Sequence, residues 1–188
     1  MNQLSDHIKS IISISDSRLE LLCDKFDENT FSKKEHLLHA KSKTHEDHFI
    51  LSGCVRTYIY DLNGVEHNIT FALENWWFGD LQSFINKTPA SFYIQALEET
   101  TVLSISRRDW DKLLNEIPEF VVYTRILFRN TMFSHENRIL QNLSYTAEER
   151  YLHFLQDYPN LSQRISQKHI ASYLGITPEF LSMLRRKK

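Results

Sequence analysis

The sequence predicts an α+β protein, with an antiparallel β-domain and flanking helices, then a long helix and a C-terminal helix-turn-helix. Three observations support this fold class. Within residues 30–106, β-branched and aromatic residues stand on both sides of Asn63-Gly64. Apolar residues recur at helical spacing after Arg107, and a glycine separates two short helical segments near the end. With 188 residues, 41% of them hydrophobic, the chain is long enough to bury a core.

Composition excludes several classes of protein. Cys23 and Cys54 are the only cysteines, too few for the four thiolates that an iron–sulfur cluster usually needs. The N-terminus is amphipathic and charged, unlike a signal peptide, and no stretch reaches the roughly 18 apolar residues of a membrane span. We therefore expect a soluble, cytoplasmic protein that does not enter a membrane.

Charge is distributed unevenly along the chain. Residues 161–188 hold six basic residues and one acidic residue, a formal charge of +5. Because the whole chain has a net charge of −2, residues 1–160 carry a charge of −7. A basic end on an acidic body is typical of a nucleic-acid-binding module joined to another domain. The alternative is a solvated basic tail without a partner.

The N-terminal two thirds of the chain divide into short elements. We predict one or two short helices from about Ser5 to Phe26, where apolar residues recur near helical spacing. A β-hairpin is predicted around Asn63-Gly64, a pair that suits a tight turn because both residues tolerate positive φ. Two further strands are predicted at about 92–97 and 101–105.

A short helical segment after Arg107 is followed by a long helix predicted from about Pro118 to Leu143. Ile126, Phe133 and Leu140 lie seven residues apart along it, which predicts one seam and a coiled-coil contact between two subunits. The alternative is packing of this stripe on the chain's own β-domain.

A new helix is predicted after the long one. Thr146 and Glu149 have the spacing of a capping box, so a break is expected at about 144–145. The predicted boundaries are 1–116 for the β-domain with its flanking helices, 117–144 for a dimerisation helix, and 145–188 for the last domain.

That last domain ends in a predicted helix-turn-helix. A helix at 167–174 is followed by Gly175, which can adopt the positive φ of a tight turn, and Thr177 can cap a second helix that begins at Pro178. Ala171 is small where the two helices approach each other. The apolar residues that would face a common core are Ile170, Leu174, Ile176, Leu181 and Leu184. A generic helical hairpin is the alternative.

In a helix-turn-helix, the second helix enters the major groove of double-stranded DNA. Glu179 can accept a hydrogen bond from a cytosine amine, and Arg185 and Arg186 can contact phosphates or base edges. The full set of predicted DNA-contacting residues is Lys168, Thr177, Pro178, Glu179, Ser182, Met183, Arg185 and Arg186.

These motifs resemble the Crp/Fnr family of bacterial transcription regulators over nearly the whole chain. The matching stretches are "SGCVRTYIYDLNGVEHNITF", "WWFGD", "YTAEERYLHFL" and the helix-turn-helix. The resemblance implies a cyclic-nucleotide-binding-like β-roll (jelly roll) as the sensor domain, a long helix that forms a homodimer, and a DNA-binding domain whose orientation depends on an effector.

The resemblance also implies where an effector would bind. In nucleotide-binding members a Gly-Glu turn engages the ribose, and an Arg followed by Ser or Thr clamps the cyclic phosphate. Gly79 and Asp80 match the turn, while Ala90 and Ser91 fall at the clamp, so the arginine is missing. Without this arginine, binding of the cyclic phosphate loses roughly 1.5 to 3 kcal/mol of free energy, which argues against cyclic AMP as the ligand. The small-molecule effector, if there is one, is left unidentified. The aromatic residues of 76–93 suit either an apolar effector or a core.

The predicted DNA-reading helix departs from the family pattern at one position. Family members commonly carry an Arg four positions after the Glu, where this chain has Met183, so the family's usual operator is not expected. The chain also stops at Lys188, so no β-wing follows the second helix: DNA contact would be narrower, or the chain is shortened.

The sequence also offers two rival functions. His36, His39, His45 and His48 suggest a metal enzyme or metal sensor, but i and i+3 positions of a strand point to opposite faces, which favours a solvated hairpin without metal. No nucleophile elbow or phosphate-binding glycine loop occurs, so neither an enzyme nor a cofactor is predicted. The remaining alternative is a ligand-binding or protein-interaction regulatory module with a vestigial DNA head.

Overall fold

The computed structural model of the protein describes residues 2–43 and 46–186. The strands are β1 (Asp27–Phe31), β2 (His36–Leu38), β3 (Glu46–Ser52), β4 (Val55–Tyr60), β5 (Glu66–Ala72), β6 (Trp77–Phe78), β7 (Tyr93–Ala96) and β8 (Thr100–Ser106). The helices are α1 (Asn2–Ile11), α2 (Asp16–Cys23), α3 (Leu81–Asn86), α4 (Arg107–Glu116), α5 (Pro118–Ser144), α6 (Ala147–Asp157), α7 (Leu161–Arg164), α8 (Gln167–Leu174) and α9 (Pro178–Arg186). The predicted α+β fold class is confirmed.

The chain forms two compact units. The first contains the chain up to Ile59 together with Thr70–Phe128, and the second contains Tyr60–Ile69 together with the chain from Arg129 onward. The tip of the hairpin β4–β5 thus belongs to the second unit, and α5 contributes residues to both. The three domain boundaries inferred from the sequence stay a prediction.

The first unit is built on two antiparallel sheets. One has the strand order β1-β8-β3-β6 and the other β2-β7-β4-β5. Their inner faces share one core, formed by Leu38, Ile50, Val55, Ala72, Phe78, Ala90, Ile94 and Val102. Because side chains alternate along a strand, the neighbours of Ile50 and Val102 on β3 and β8 face the other way.

Those outward-facing residues meet the helices. Phe49, Leu103 and Ile105 pack in a second core with side chains of α1, α2, α4 and α5. A hydrogen-bonded chain crosses this core, because the Trp77 indole N–H donates to the Tyr123 hydroxyl at 2.8 Å and His7 Nδ1 lies 2.8 Å from the same oxygen. The buried face of α5 is therefore tied both to a strand and to the N-terminal helix.

The hairpin lies where the sequence places it, but its turn differs from the predicted one. Gly64 has a φ of 78°, whereas Asn63 is not among the residues with positive φ. The Asp61 carboxylate accepts hydrogen bonds from the backbone N–H groups of Asn63 and Val65, so it organises a longer loop. A side chain that bonds its own backbone can replace a two-residue turn.

Strand β3 carries two adjacent buried ionisable residues, Asp47 and His48. His48 Nδ1 lies 2.9 Å from the Ser104 hydroxyl, and its ring stacks on Phe78. Burial raises the pKa of the Asp47 carboxyl to about 7 and lowers the pKa of His48 to about 4. Burial therefore favours the neutral form of both groups.

These two shifts have opposite effects on stability between about pH 4 and pH 6.5. The native state binds more protons at Asp47 than the unfolded state does, so acidification stabilises through Asp47 and destabilises through His48. Asp47→Asn removes the group whose protonation stabilises the native state on acidification. Between about pH 6.5 and about pH 4.5, we expect its free energy of unfolding to fall by roughly 2 kcal/mol more than that of the unsubstituted protein.

Urea denaturation at several pH values measures this difference. Asp27→Asn, on the exposed strand β1, is the matched control and should follow the unsubstituted protein. Parallel pH profiles for Asp47→Asn and the unsubstituted protein would contradict the expectation.

Candidate nucleic-acid interface

Local hydrogen bonds define the two helices of the predicted helix-turn-helix. The Ser166 hydroxyl accepts from the backbone N–H of His169 and caps α8, which ends at Gly175 with a φ of 67°. The Thr177 hydroxyl accepts from the backbone N–H of Phe180 at 3.2 Å and caps α9. Both helices and the glycine turn lie where the sequence predicts them.

One side of this helix pair forms a core within the second unit. The buried residues of the predicted core are Ile170, Ala171, Leu174, Leu181 and Leu184. Ile176, which is also predicted to face it, is half-buried. Helix α6 adds Phe154, whose ring centroid lies 5.6 Å from that of Tyr173. The predicted capping box of Thr146 and Glu149 begins α6. The helix pair thus has a core that holds α9 by its apolar side.

The opposite side of α9 is open. The residues predicted to contact DNA line a shallow groove of about 470 Å³, formed by Pro178, Glu179, Ser182, Met183 and Arg186. Arg185 and Thr177, which adjoin these residues in sequence, are exposed, and Lys168 in the first turn of α8 is exposed as well. Two guanidinium groups stand in the last turn of α9 and one carboxylate in its first turn. Such a face can contact phosphates and base edges at the same time.

Two of the predicted effector residues, Asp80 and Ser91, are joined by a hydrogen bond. The Asp80 carboxylate is 1% exposed, caps α3 by accepting from the backbone N–H of Ser83 at 3.0 Å, and accepts from the backbone N–H of Ser91 at 2.7 Å. Ala90 is buried next to it. The acidic group of the predicted ribose-binding turn is thus used inside the protein.

Gly79 has a further structural role. A Cβ atom on Gly79 would lie 2.2 Å from the Asp47 Oδ1 atom, closer than real contacts allow. The buried carboxyl of Asp47 thus leaves little room for a side chain at the glycine of "WWFGD".

The aromatic residues near this site mostly serve the cores. Phe84 and Phe78 belong to the two cores and Trp77 packs against one of them, whereas Trp76 is exposed.

Arg56 is a buried cation that the sequence alone does not single out. Its Nε donates to Gln95, and its guanidinium lies 4.0 Å from the Tyr58 ring centroid. It lies on the opposite face of β4 from the core residue Val55.

The histidine-rich stretch is not the solvated hairpin that was predicted. His48 is buried, and the rings of His36 and His39 lie 4.6 Å apart because β2 ends at Leu38, before His39. His45 lies outside the described residues. Within the described part of the chain, no three His, Cys, Asp or Glu side chains are grouped so that they could hold a metal ion.

Helix α5 is buried only near its start: from Phe128 to Ser144 every residue is exposed except the half-buried Arg138 and Gln141. Phe120, Tyr123 and Thr124 are buried. Of the three residues of the predicted dimer seam, Ile126 is half-buried, Phe133 is 49% exposed and Leu140 is 58% exposed. Other apolar residues of α5 are also exposed, namely Val121, Val122, Phe128, Met132, Ile139 and Leu143. Their exposure is what a surface for a second subunit requires.

In residues 2–43 and 46–186, none of the helices is both long enough and apolar enough to cross a membrane.

Comparison with known proteins supports the same architecture. Residues 28–116 match the family model of the cyclic nucleotide-binding domain. No curated protein matches the chain significantly. FixK2 of Bradyrhizobium japonicum is similar in structure, with 19% identity, a TM-score of 0.76 and coverage of 86% of this chain and 83% of FixK2.

Two further structures are similar over most of their length. The c-di-GMP-responsive global regulator CLP of Xanthomonas campestris has 13% identity, a TM-score of 0.74 and coverage of 92% of this chain and 91% of CLP. A protein of Eubacterium rectale described as a transcriptional regulator of the Crp/Fnr family has 17% identity, a TM-score of 0.70 and coverage of 93% and 83%. Residues 28–116 thus form a cyclic nucleotide-binding-type domain, and the chain has the fold of the Crp/Fnr transcription regulators.

Proposed function

We propose that the chain is a homodimeric, cytoplasmic transcription regulator that binds double-stranded DNA through α9. The observation that supports this most directly is the open face of α9, which combines Glu179 and Arg186 with a well-buried opposite face. Two such helices in a dimer would occupy successive major grooves, about one helical turn apart. The basic charge of residues 161–188 would supply the phosphate attraction that the acidic body lacks.

The proposed function is tested by selecting genomic DNA fragments with the purified protein at about physiological salt. Enrichment of a palindromic site is expected. Arg186→Ala should then weaken binding by roughly 1 to 3 kcal/mol, and Glu179→Ala should relax the preference at one base pair. Thr101→Ala, a surface change on β8 far from α9 in sequence, is the control and should bind normally.

The outcomes separate the candidates. Unchanged affinity and selectivity in both α9 variants would mean that another helix contacts DNA. No enrichment with the unsubstituted protein would favour the regulatory module with a vestigial DNA head.

The site of Asp80 and Ser91 is proposed not to bind cyclic AMP. No Arg occurs between Phe78 and Ser106, and the backbone N–H of Ser91 already donates to the Asp80 carboxylate. A cyclic phosphate there would meet the buried Asp80 carboxylate, and the stretch 79–105 offers no guanidinium to bind it, which is unfavourable. Titration calorimetry with cyclic AMP should show no saturable heat; micromolar binding would contradict this proposal.

A further inference from the structure

The tip of the β4–β5 hairpin makes a set of hydrogen bonds to α8. β5 is the last strand of its sheet, so the backbone groups along its outer edge need partners beyond the sheet. The Ser172 hydroxyl accepts from the backbone N–H of Asn68 at 3.0 Å and donates to the carbonyl of Glu66 at 3.0 Å. One hydroxyl thus satisfies both a donor and an acceptor of the strand edge.

The Asn68 side chain adds a second connection. It is 3% exposed, and its Nδ2 donates to the carbonyl of His169 at 3.0 Å. Hairpin and helix are therefore joined at two positions along α8, His169 and Ser172, which lie on one face of the helix because they are three residues apart. The neighbouring residues Ile170 and Ala171 face the core instead.

Arg138 of α5 joins the same place. Its Nη2 atom lies 3.2 Å from the carbonyl oxygen of Asn68 and 3.3 Å from that of Tyr173, and its guanidinium lies 4.0 Å from the Tyr173 ring centroid. One cation thus bonds to the hairpin and to α8 together. All of these residues belong to the second unit. We call Asn68, Arg138, His169, Ser172 and Tyr173 the clasp.

We propose that the clasp is a positioning device that holds α8, and α9 with it, in the orientation that binds DNA. This inference rests on the proposed function. The clasp residues are separate from the open face of α9, where Glu179, Met183 and Arg186 lie, so the clasped state does not cover that face. A helix pair held in one orientation loses less conformational freedom when it binds, and apparent affinity falls in proportion to the fraction of molecules in the competent state.

The residue that tests the clasp best is Asn68, because it lies outside the helix-turn-helix. Asn68→Ala removes the bond to His169 without altering α8 or α9. We expect amide hydrogen exchange in α8 to become about tenfold faster and DNA affinity to fall about threefold to tenfold, the range for one hydrogen bond. Asn63→Ala, the same change in the same hairpin but outside the clasp, should leave both quantities unchanged.

A second variant approaches the clasp from the helix. Ser172→Ala removes both bonds to the edge of β5 and should act in the same direction, with Ser162→Ala in α7 as its matched control. Affinity is measured on the enriched DNA site, and exchange is measured without DNA. The clasp is thereby tested for its structural role and its functional role separately.

Each outcome is informative. Faster exchange with unchanged or higher DNA affinity would overturn the clasp as a device that favours binding, while the proposed function would stand. Unchanged exchange in both variants would show that the clasp does not restrain α8. Absence of DNA binding by the unsubstituted protein would overturn the proposed function, and the clasp's effect on DNA with it.

Discussion

Phe133→Glu is expected to separate the two subunits of the proposed dimer. Phe133 lies in the exposed part of α5 and is itself 49% exposed in the single chain, so the substitution should not disturb the core. In a dimer each glutamate would be buried without a partner charge, at a cost of several kcal/mol for each copy. The dimer dissociation constant should therefore rise by on the order of 100-fold or more.

Sedimentation velocity across a concentration series measures this change. Ser134→Glu places the same charge on an adjacent exposed position that points about 100° away around the helix, and it should leave the dimer intact. Binding to a palindromic DNA site should fall with the dimer, because a monomer can engage only one half-site. A Phe133→Glu protein that sediments as the unsubstituted protein does would remove α5 from the interface.

Asp80→Ala is expected to destabilise the first unit strongly. The buried carboxylate accepts hydrogen bonds from the backbone N–H groups of Ser83 and Ser91. Alanine would leave both N–H groups without this acceptor. An unsatisfied buried donor costs about 1 to 3 kcal/mol, so the free energy of unfolding should fall by roughly 2 to 5 kcal/mol. The loss is larger than that of an ordinary helix cap because the second bond joins a separate segment.

Urea denaturation tests this expectation, provided that the dependence of the unfolding free energy on urea concentration has the same slope in the variant and the unsubstituted protein. Asp80→Asn keeps one acceptor oxygen, so it should show an intermediate loss. Ser15→Ala, at a helix start where the side chain makes no capping hydrogen bond, is the control and should change stability little. A loss below about 1 kcal/mol in Asp80→Ala would mean that water replaces the carboxylate and that the site is open to ligands.

Elements whose signals are local were predicted well. The structure has three of them: the capping box at Thr146, the turn at Gly175 and the cap at Thr177. Each depends on residues only a few positions apart in the sequence. The hairpin was also placed correctly, but the Asp61 side chain decided its turn geometry. Local propensity for positive φ at Asn63 was overridden by hydrogen bonds to a neighbouring carboxylate.

Contacts between distant segments could not be predicted in this way. The family resemblance places Asp80 and Ser91 in one site, but nothing in their spacing indicates that the carboxylate bonds to the Ser91 N–H. His48 was expected to be solvated, and only the pairing of β3 with β8 and β6 buries it against Ser104 and Phe78.

The sequence by itself determined the order of elements, the helix-turn-helix and which face of α9 is polar, because helical periodicity, caps and turns depend on near neighbours. Tertiary structure alone decided which polar groups are consumed internally and which are left open. Asp80 is used by Ser83 and Ser91, and the edge of β5 is used by Ser172. The physical reason is that burial and hydrogen bonding depend on residues that are far apart in the chain, such as Glu66 and Ser172, which are separated by 106 positions.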